Sequence, residues 1–191
     1  MQIDELTVGM VQTRCYILSK EDGQECIVID PGAEAARIRK HAGGRRIAAI
    51  LLTHGHFDHI GAVGELYDAQ SEIPRIYIHA LDAAMLGDPE LNASAGLIGR
   101  RVTAPEATDT VKEGDELELA GLTIKVLHTP GHTQGSVCYE IEGELFTGDT
   151  LFDYGWGRTD LPGGSDEQME QSLRRLMPLA KTLRVHPGHE D

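Results

Sequence analysis

The chain has 191 residues, 40% hydrophobic and 25% charged, which suits one soluble globular domain, residues 1–191, large enough to bury a real core. Its net charge of −14 argues against nucleic acid or an anionic membrane as partner, because both reward clustered Lys and Arg. The three cysteines, Cys15, Cys26 and Cys138, are odd in number and form no C-x-x-C pair, and no basic-then-apolar leader or long apolar span is present, so a reducing cytoplasm is the expectation, with Cys15 and Cys138, among apolar residues, read as buried inert thiols.

Residues 2–8 and 12–19 read as strands, with Gly9 between them. A turn at 21–24 leads into a buried strand, 25–30, that ends on Asp30. Residues 33–42 form a predicted helix with Ala35 and Ile38 inward, stopped by Gly43-Gly44. The apolar run 46–52 is a strand that delivers Thr53-His-Gly-His-Phe-Asp-His-Ile-Gly61. A helix over about 58–70 carries Ile60, Val63, Leu66 and Tyr67 on one face. A strand at 75–79 and a short helix at 80–87 follow. Residues 88–113 have few periodic apolar positions and read as a long excursion, a candidate lid. Then come hairpin strands 116–119 and 122–127, a loop with His128 and His132, paired strands 136–141 and 144–147, and Gly148-Asp149-Thr150. A glycine-rich stretch, 153–165, precedes a helix over 166–176, for which Ser165 is a good N-cap. A strand at 182–185 leads into His186-Pro-Gly-His189.

Metal-binding residue types therefore collect where strands end. His54 and His56 are two apart on an extended segment, so both imidazoles point the same way and can reach one ion. Asp58 and His59 sit at a helix start and can turn toward a second point. Adding His132, Asp149 and His189 makes seven ligands. Three imidazoles suit one ion, Asp58 with two imidazoles suits another, and Asp149 can bridge. On spacing alone His128 could replace His132, and His186 could replace His189. Imidazole and carboxylate without thiolate suit two divalent ions, zinc first, with iron or manganese as alternatives.

These motifs resemble the metallo-β-lactamase superfamily from end to end. The resemblance implies an α/β fold of αββα layers with the site at one edge of two sheets. It implies His54, His56 and His132 on one metal, and Asp58, His59 and His189 on the other. Asp149 then lies between them, and Asp30 braces the His loop. It favours His132 and His189 over His128 and His186. Class B1 β-lactamases carry cysteine in the motif where this chain has Asp149, which moves the resemblance toward glyoxalase II-like thioesterases. The stretch Gly157-Arg-Thr-Asp-Leu-Pro-Gly-Gly-Ser165 is similar to small members of that group without the C-terminal helical domain. The glutathione contacts which that domain supplies are not expected in this chain.

The expected chemistry is hydrolysis of a small-molecule thioester by a hydroxide bridging the two ions, with Asp58 handling the proton of the water. A thiolate leaves without a strong general acid. A mononuclear-iron persulfide dioxygenase and a lactonase share the framework and compete with this reading. Arg158 is a candidate for binding a substrate carboxylate, although an ion pair with Asp160 or Asp153 is the stronger expectation. Tyr154 and Trp156 either line a pocket or pack beneath the loop. His41 reads as solvated, and His79 as a core or rim residue.

Overall fold

The computed structural model describes residues 1–69 and 72–190. The first half builds a six-stranded sheet in chain order: β1 (Gln2–Val8), β2 (Thr13–Ser19), β3 (Glu25–Ile29), β4 (Arg46–Leu51), β5 (Arg75–His79) and β6 (Asp109–Val111). The first three strands run antiparallel, and β3 through β6 are parallel. The second half builds a five-stranded sheet from β7 (Glu116–Leu119), β8 (Leu122–His128), β9 (Val137–Ile141), β10 (Glu144–Gly148) and β11 (Arg184–Pro187), in the order β11-β10-β9-β8-β7. Only β11 is parallel to its neighbour.

The apolar runs of the sequence explain the layering. Ile27 and Ile29 of β3 and Ala49 and Leu51 of β4 face the second sheet, where Ile124, Val126, Tyr139 and Phe146 meet them. The alternate residues, Cys26, Val28 and Ile50, face the other way, against α1 (Ala35–Ala42) and α3 (Val63–Asp68). A strand buried on both faces is apolar throughout. Behind the second sheet, Cys138 and Leu145 pack on Leu173 and Leu176 of α5 (Asp166–Leu179). The result is the αββα sandwich expected from the motifs. Ser165 caps α5 by accepting from the backbone N–H of Gln168.

Several boundaries differ from the sequence reading. The helix expected over 58–70 is two pieces, α2 (Phe57–Ile60) and α3, and its predicted end at Gln70 lies outside the described residues. The break has a local cause. The N–H of Ala62 donates to the carbonyl of Pro31 at 2.9 Å instead of to its own helix. Gly61 lies so close to the Gly32 carbonyl oxygen that any side-chain carbon there would collide with it. The short helix expected over 80–87 is a 3₁₀ turn, Ala83–Leu86. The excursion 88–113 has its own structure: α4 (Ser94–Ile98), then β6 on the sheet edge. Asn92 pins it by donating to the carbonyls of Met85 and Val102, both at 2.9 Å. Helix α5 runs three residues beyond 176, and the last strand is shifted to Arg184–Pro187, so His186 lies within it.

Candidate metal centre

The site forms where β3, β4, β8, β10 and β11 end along one edge of the two sheets. The His loop is held from behind. Thr53 donates its N–H to Asp30 Oδ1 at 2.8 Å and its hydroxyl to Oδ2 at 2.6 Å. The same Oδ2 lies 2.9 Å from His59 Nδ1. Asp30 is buried just past β3, with a left-handed φ of 49° that turns its carboxylate under the loop. Nδ1 of His59 therefore keeps its proton toward Asp30, and Nε2 is the nitrogen turned toward Asp149 and His189. His54 is oriented in the same way, with Nδ1 3.1 Å from the Thr53 hydroxyl oxygen. His132 donates from Nδ1 to the backbone carbonyl of Arg158 at 2.6 Å, which leaves its Nε2 lone pair 2.8 Å from His56 Nδ1.

The seven side chains expected from the sequence meet at this edge. They form three overlapping groups whose ligand atoms lie within 4.8 Å of one another: His54, His56 and His132; His54, His59 and Asp149; and Asp58, His59 and His189. His59 Nε2 lies 3.3 Å from Asp149 Oδ1 and 3.3 Å from His189 Nε2. His189 Nε2 lies 3.2 Å from Asp58 Oδ2 and 3.6 Å from Asp149 Oδ2. Three buried atoms here have no hydrogen-bond partner: Nε2 of His54, Nε2 of His56 and Oδ1 of Asp149. Buried polar groups are seldom left unpaired. Orphaned nitrogens beside carboxylates, with neighbouring rings already fixed through Nδ1, suit divalent cations with nitrogen and oxygen ligands.

The electrostatics agree with that fit. Burial pushes the His54 imidazole well below its usual range, and its neighbour His59 adds to this. Burial, then His132, holds His56 down at about 3. Both rings are thus neutral ligands at pH 7. Burial is the largest influence on Asp58 and Asp149 and opposes their ionisation, but His59 and His189 together hold Asp58 at about 2, and His59, His132 and His54 together hold Asp149 well below the carboxylate range. His59 goes the other way. Burial disfavours its charge, yet Asp149, Asp58 and Asp30 raise it well above its ordinary value. In the metal-free protein His59 carries the compensating positive charge that cations would otherwise supply.

The tail that presents His189 is strapped down. Arg14 N–H donates to the Gly188 carbonyl at 2.7 Å, Gly188 N–H donates to Gly148 at 2.8 Å, and the Tyr16 hydroxyl donates to the Pro187 carbonyl at 2.6 Å. A side chain at Gly188 would meet both Asp149 and His59, so only glycine lets the tail come this close.

The spacing alternatives resolve through packing. The His128 ring stacks on His79, with centroids 4.2 Å apart, and its Nε2 reaches the Gln134 carbonyl at 2.9 Å. His186 lies 2.6 Å from a Glu144 oxygen and stacks on Phe146. Neither belongs to a ligand group. His41 is exposed. The Arg158 guanidinium is taken by Asp160 through two hydrogen bonds of 2.6 and 2.8 Å, and its backbone carbonyl is what serves the site. Tyr154 and Trp156 are exposed beside a separate hollow with Leu173 and Met177, away from the ligands.

Two residues of consequence went unread in the sequence. Thr13 donates its hydroxyl to Asp58 Oδ2 at 3.0 Å. Asp82 is 1% exposed and accepts from Gly55 N–H (3.2 Å), the Thr133 hydroxyl (2.6 Å) and Gly135 N–H (2.7 Å), tying the His54 loop to the His132 loop. No spacing marks Asp82, and only its burial gives it away.

The comparisons agree with this geometry. A model of the metallo-β-lactamase superfamily matches residues 8–189. The chain is 34% identical over 202 residues to the hydroxyacylglutathione hydrolase GloC of Haemophilus influenzae, covering 99% of the chain and 91% of that protein. Among solved structures it is similar to BLEG-1, a B3 metallo-β-lactamase, with a TM-score of 0.91 and 37% identity over 100% of this chain and 92% of that one. TTHA1623, solved in a di-iron-bound form, gives a TM-score of 0.86 and 36% identity over 98% and 92%. No helix among the described residues is long and apolar enough to cross a membrane. Two sheets between helices, a metal-binding cluster of histidines and aspartates at their shared edge, and these similarities make the chain a member of the metallo-β-lactamase superfamily.

Proposed function

We propose that this metallohydrolase cleaves acyl thioesters of small molecules, with two divalent ions, zinc first, held by His54, His56 and His132 on one side and by Asp58, His59 and His189 on the other, Asp149 lying between. The observation that carries the proposal is Asp149 itself. It stands 3.4 Å from His132 Nε2 and 3.3 Å from His59 Nε2, within reach of both ligand groups. The likeness to a hydroxyacylglutathione hydrolase supports the thioester class.

When bound, divalent ions supply a water acidified from a pKa of about 15.7 toward about 7 and a positive centre for the carbonyl oxygen. The chain's own residues do the rest. Asp30 and the Arg158 carbonyl hold His59 and His132 by their Nδ1 protons. Thr13 occupies Asp58 Oδ2 and orients that carboxylate. Asp58 takes up the proton of the attacking water and passes it to the departing thiolate. Thioester and water thus become carboxylic acid and thiol, and no strong acid is needed because a thiolate leaves readily.

The test is metal content per chain, followed by a substrate panel of S-lactoylglutathione, other thioesters, lactones and nitrocefin. Two ions bound without thioester turnover would sink the proposal. Asp149→Ala is expected to lose metal and activity together, whereas Arg158→Ala keeps its metal, because the backbone carbonyl orients His132. The similarity to BLEG-1 favours β-lactam hydrolysis as a second reading, and nitrocefin turnover exceeding every thioester would establish it. One iron per chain with oxygen uptake on a persulfide would instead mark the dioxygenase alternative.

A further inference from the structure

The ligand cluster opens into two cavities that meet over Phe57 and Asp58. One, of about 230 Å³, lies directly over His56, His132, Asp149 and His189, with Arg158 and Leu161 at its side. The other, of about 340 Å³, runs outward from Asp58. Met10 and Val11, from the turn after β1, line this outer cavity together with Ile98 and Val102. Asp58, at the inner end, and Arg100 are the charged residues among its described lining. Met10 is 76% exposed, and its neighbour Val11 and Leu97 of α4 are also open to solvent. An apolar cavity that begins at a reaction centre and is bordered by exposed apolar side chains is a binding feature, because folding alone does not pay for that exposure.

Resting on the thioesterase reading above, we propose that the outer cavity receives an unbranched aliphatic acyl arm, so that the substrate class is a fatty acyl thioester. A thioester held with its carbonyl at the cluster must send two arms outward, and two cavities leave the cluster. The thiol arm of a biological thioester carries amides and charges, so it is the poorer fit to the outer cavity, whose described lining is apolar apart from Thr13, Asp58 and Arg100. The acyl arm is the part that can be wholly apolar. In the balanced step the oxygen of water bonds to the acyl carbon, and the carbon–sulfur bond breaks with its electron pair on sulfur. The proton ends on that sulfur, and the fatty acid is left in the outer cavity.

The experiment uses the metal-loaded protein and N-acetylcysteamine thioesters of acetyl, butyryl, hexanoyl and octanoyl groups. Burial of a methylene contributes about 0.8 kcal/mol, so kcat/KM rises on the order of tenfold for each added pair until the cavity is full. Val102→Phe narrows the cavity and lowers the octanoyl-to-acetyl ratio. Met10→Ser, at an exposed position that leaves folding alone, lowers the same ratio. A companion series varies the alkyl group on sulfur with acetyl held constant. A flat acyl series, or a chain-length gain that follows the sulfur arm instead, overturns the acyl assignment while leaving thioester hydrolysis standing. Should no thioester turn over, the thioesterase reading fails by itself. Binding of octanoate and butyrate by calorimetry then tests the cavity. Tighter octanoate binding, weakened by Val102→Phe, supports an aliphatic arm there, and equal binding of the two acids removes it.

Discussion

Asp30 Oδ2 lies 2.9 Å from His59 Nδ1, and through that contact a residue just past one strand decides which nitrogen of His59, on the next loop, faces the candidate metal centre. The same carboxylate holds Thr53, and Thr53 in turn orients His54. One buried side chain thus sets two rings.

Asp30→Asn keeps the shape but removes the charge behind His59. Such outer partners are worth about 10–100-fold in metal affinity. The expected result is a loss of that order in competition with a chromogenic chelator, with the fold retained by circular dichroism. Unchanged affinity would show that the brace is only structural.

His189 belongs to a candidate ligand group, whereas His186 packs on Phe146, and the two are expected to behave differently. His189→Asn is expected to cost one ion per chain by elemental analysis. His186→Gln keeps both ions and destabilises the fold modestly, because it loses the Glu144 contact at 2.6 Å and the stack on Phe146. Equal metal loss in the two variants would contradict the assignment.

The metal-free protein has its own pH dependence. Burial works against the His59 charge, but Asp149, Asp58 and Asp30 raise its pKa well above the ordinary 6.5. The stability this adds is complete below about 6.5 and is lost as pH rises through the folded value. Asp58, held at about 2, acts in the opposite sense: its contribution stands above the ordinary 3.8 and falls away as pH drops through 2. Urea midpoints with a chelator present should therefore decline on the alkaline side. Zinc added at neutral pH must displace the His59 proton, which calorimetry in buffers of different ionisation enthalpy will detect.

Asp82 is raised by burial, against the opposing hydrogen bonds from Thr133, Gly135 and Gly55. A carboxyl that binds its proton more tightly when folded favours folding at low pH. Its contribution therefore shrinks as pH rises from the ordinary 3.8 toward the folded value, and is flat above it. Asp82→Asn should erase that segment of the stability profile. Asp82→Ala strands three buried donors, each worth roughly 1–3 kcal/mol, and is expected to lower the melting temperature and loosen metal binding together.

The thiols should be silent in the native state. Burial pushes Cys26 up to about 11 and Cys138 to about 12, and it pushes Cys15 well above the usual thiol range. Ellman's reagent should find no reactive thiol in the folded protein and three after denaturation. A fast-reacting thiol in the native protein would mean that the layers open locally.

Much of this molecule is legible in its chain. Strands buried on both faces read as unbroken apolar runs, the Gly43-Gly44 stop and the Ser165 cap obey local rules, and every donor of the cluster stands just beyond a strand. These are short-range properties, set by the period of the backbone and by turn chemistry. The choice between His128 and His132, and between His186 and His189, is not local. It depends on which ring faces the other sheet and which stacks on a neighbour such as His79 or Phe146. The role of Arg158 passes from its guanidinium to its carbonyl for the same reason. Asp82 matters only because two loops far apart in the chain fold onto it, and the helix at 58–70 breaks because Pro31 draws the N–H of Ala62 away. Residue types and strand ends determined what chemistry is available. Contacts between distant segments decided which atoms face one another, because orientation at an edge shared by two sheets exists only once both are packed.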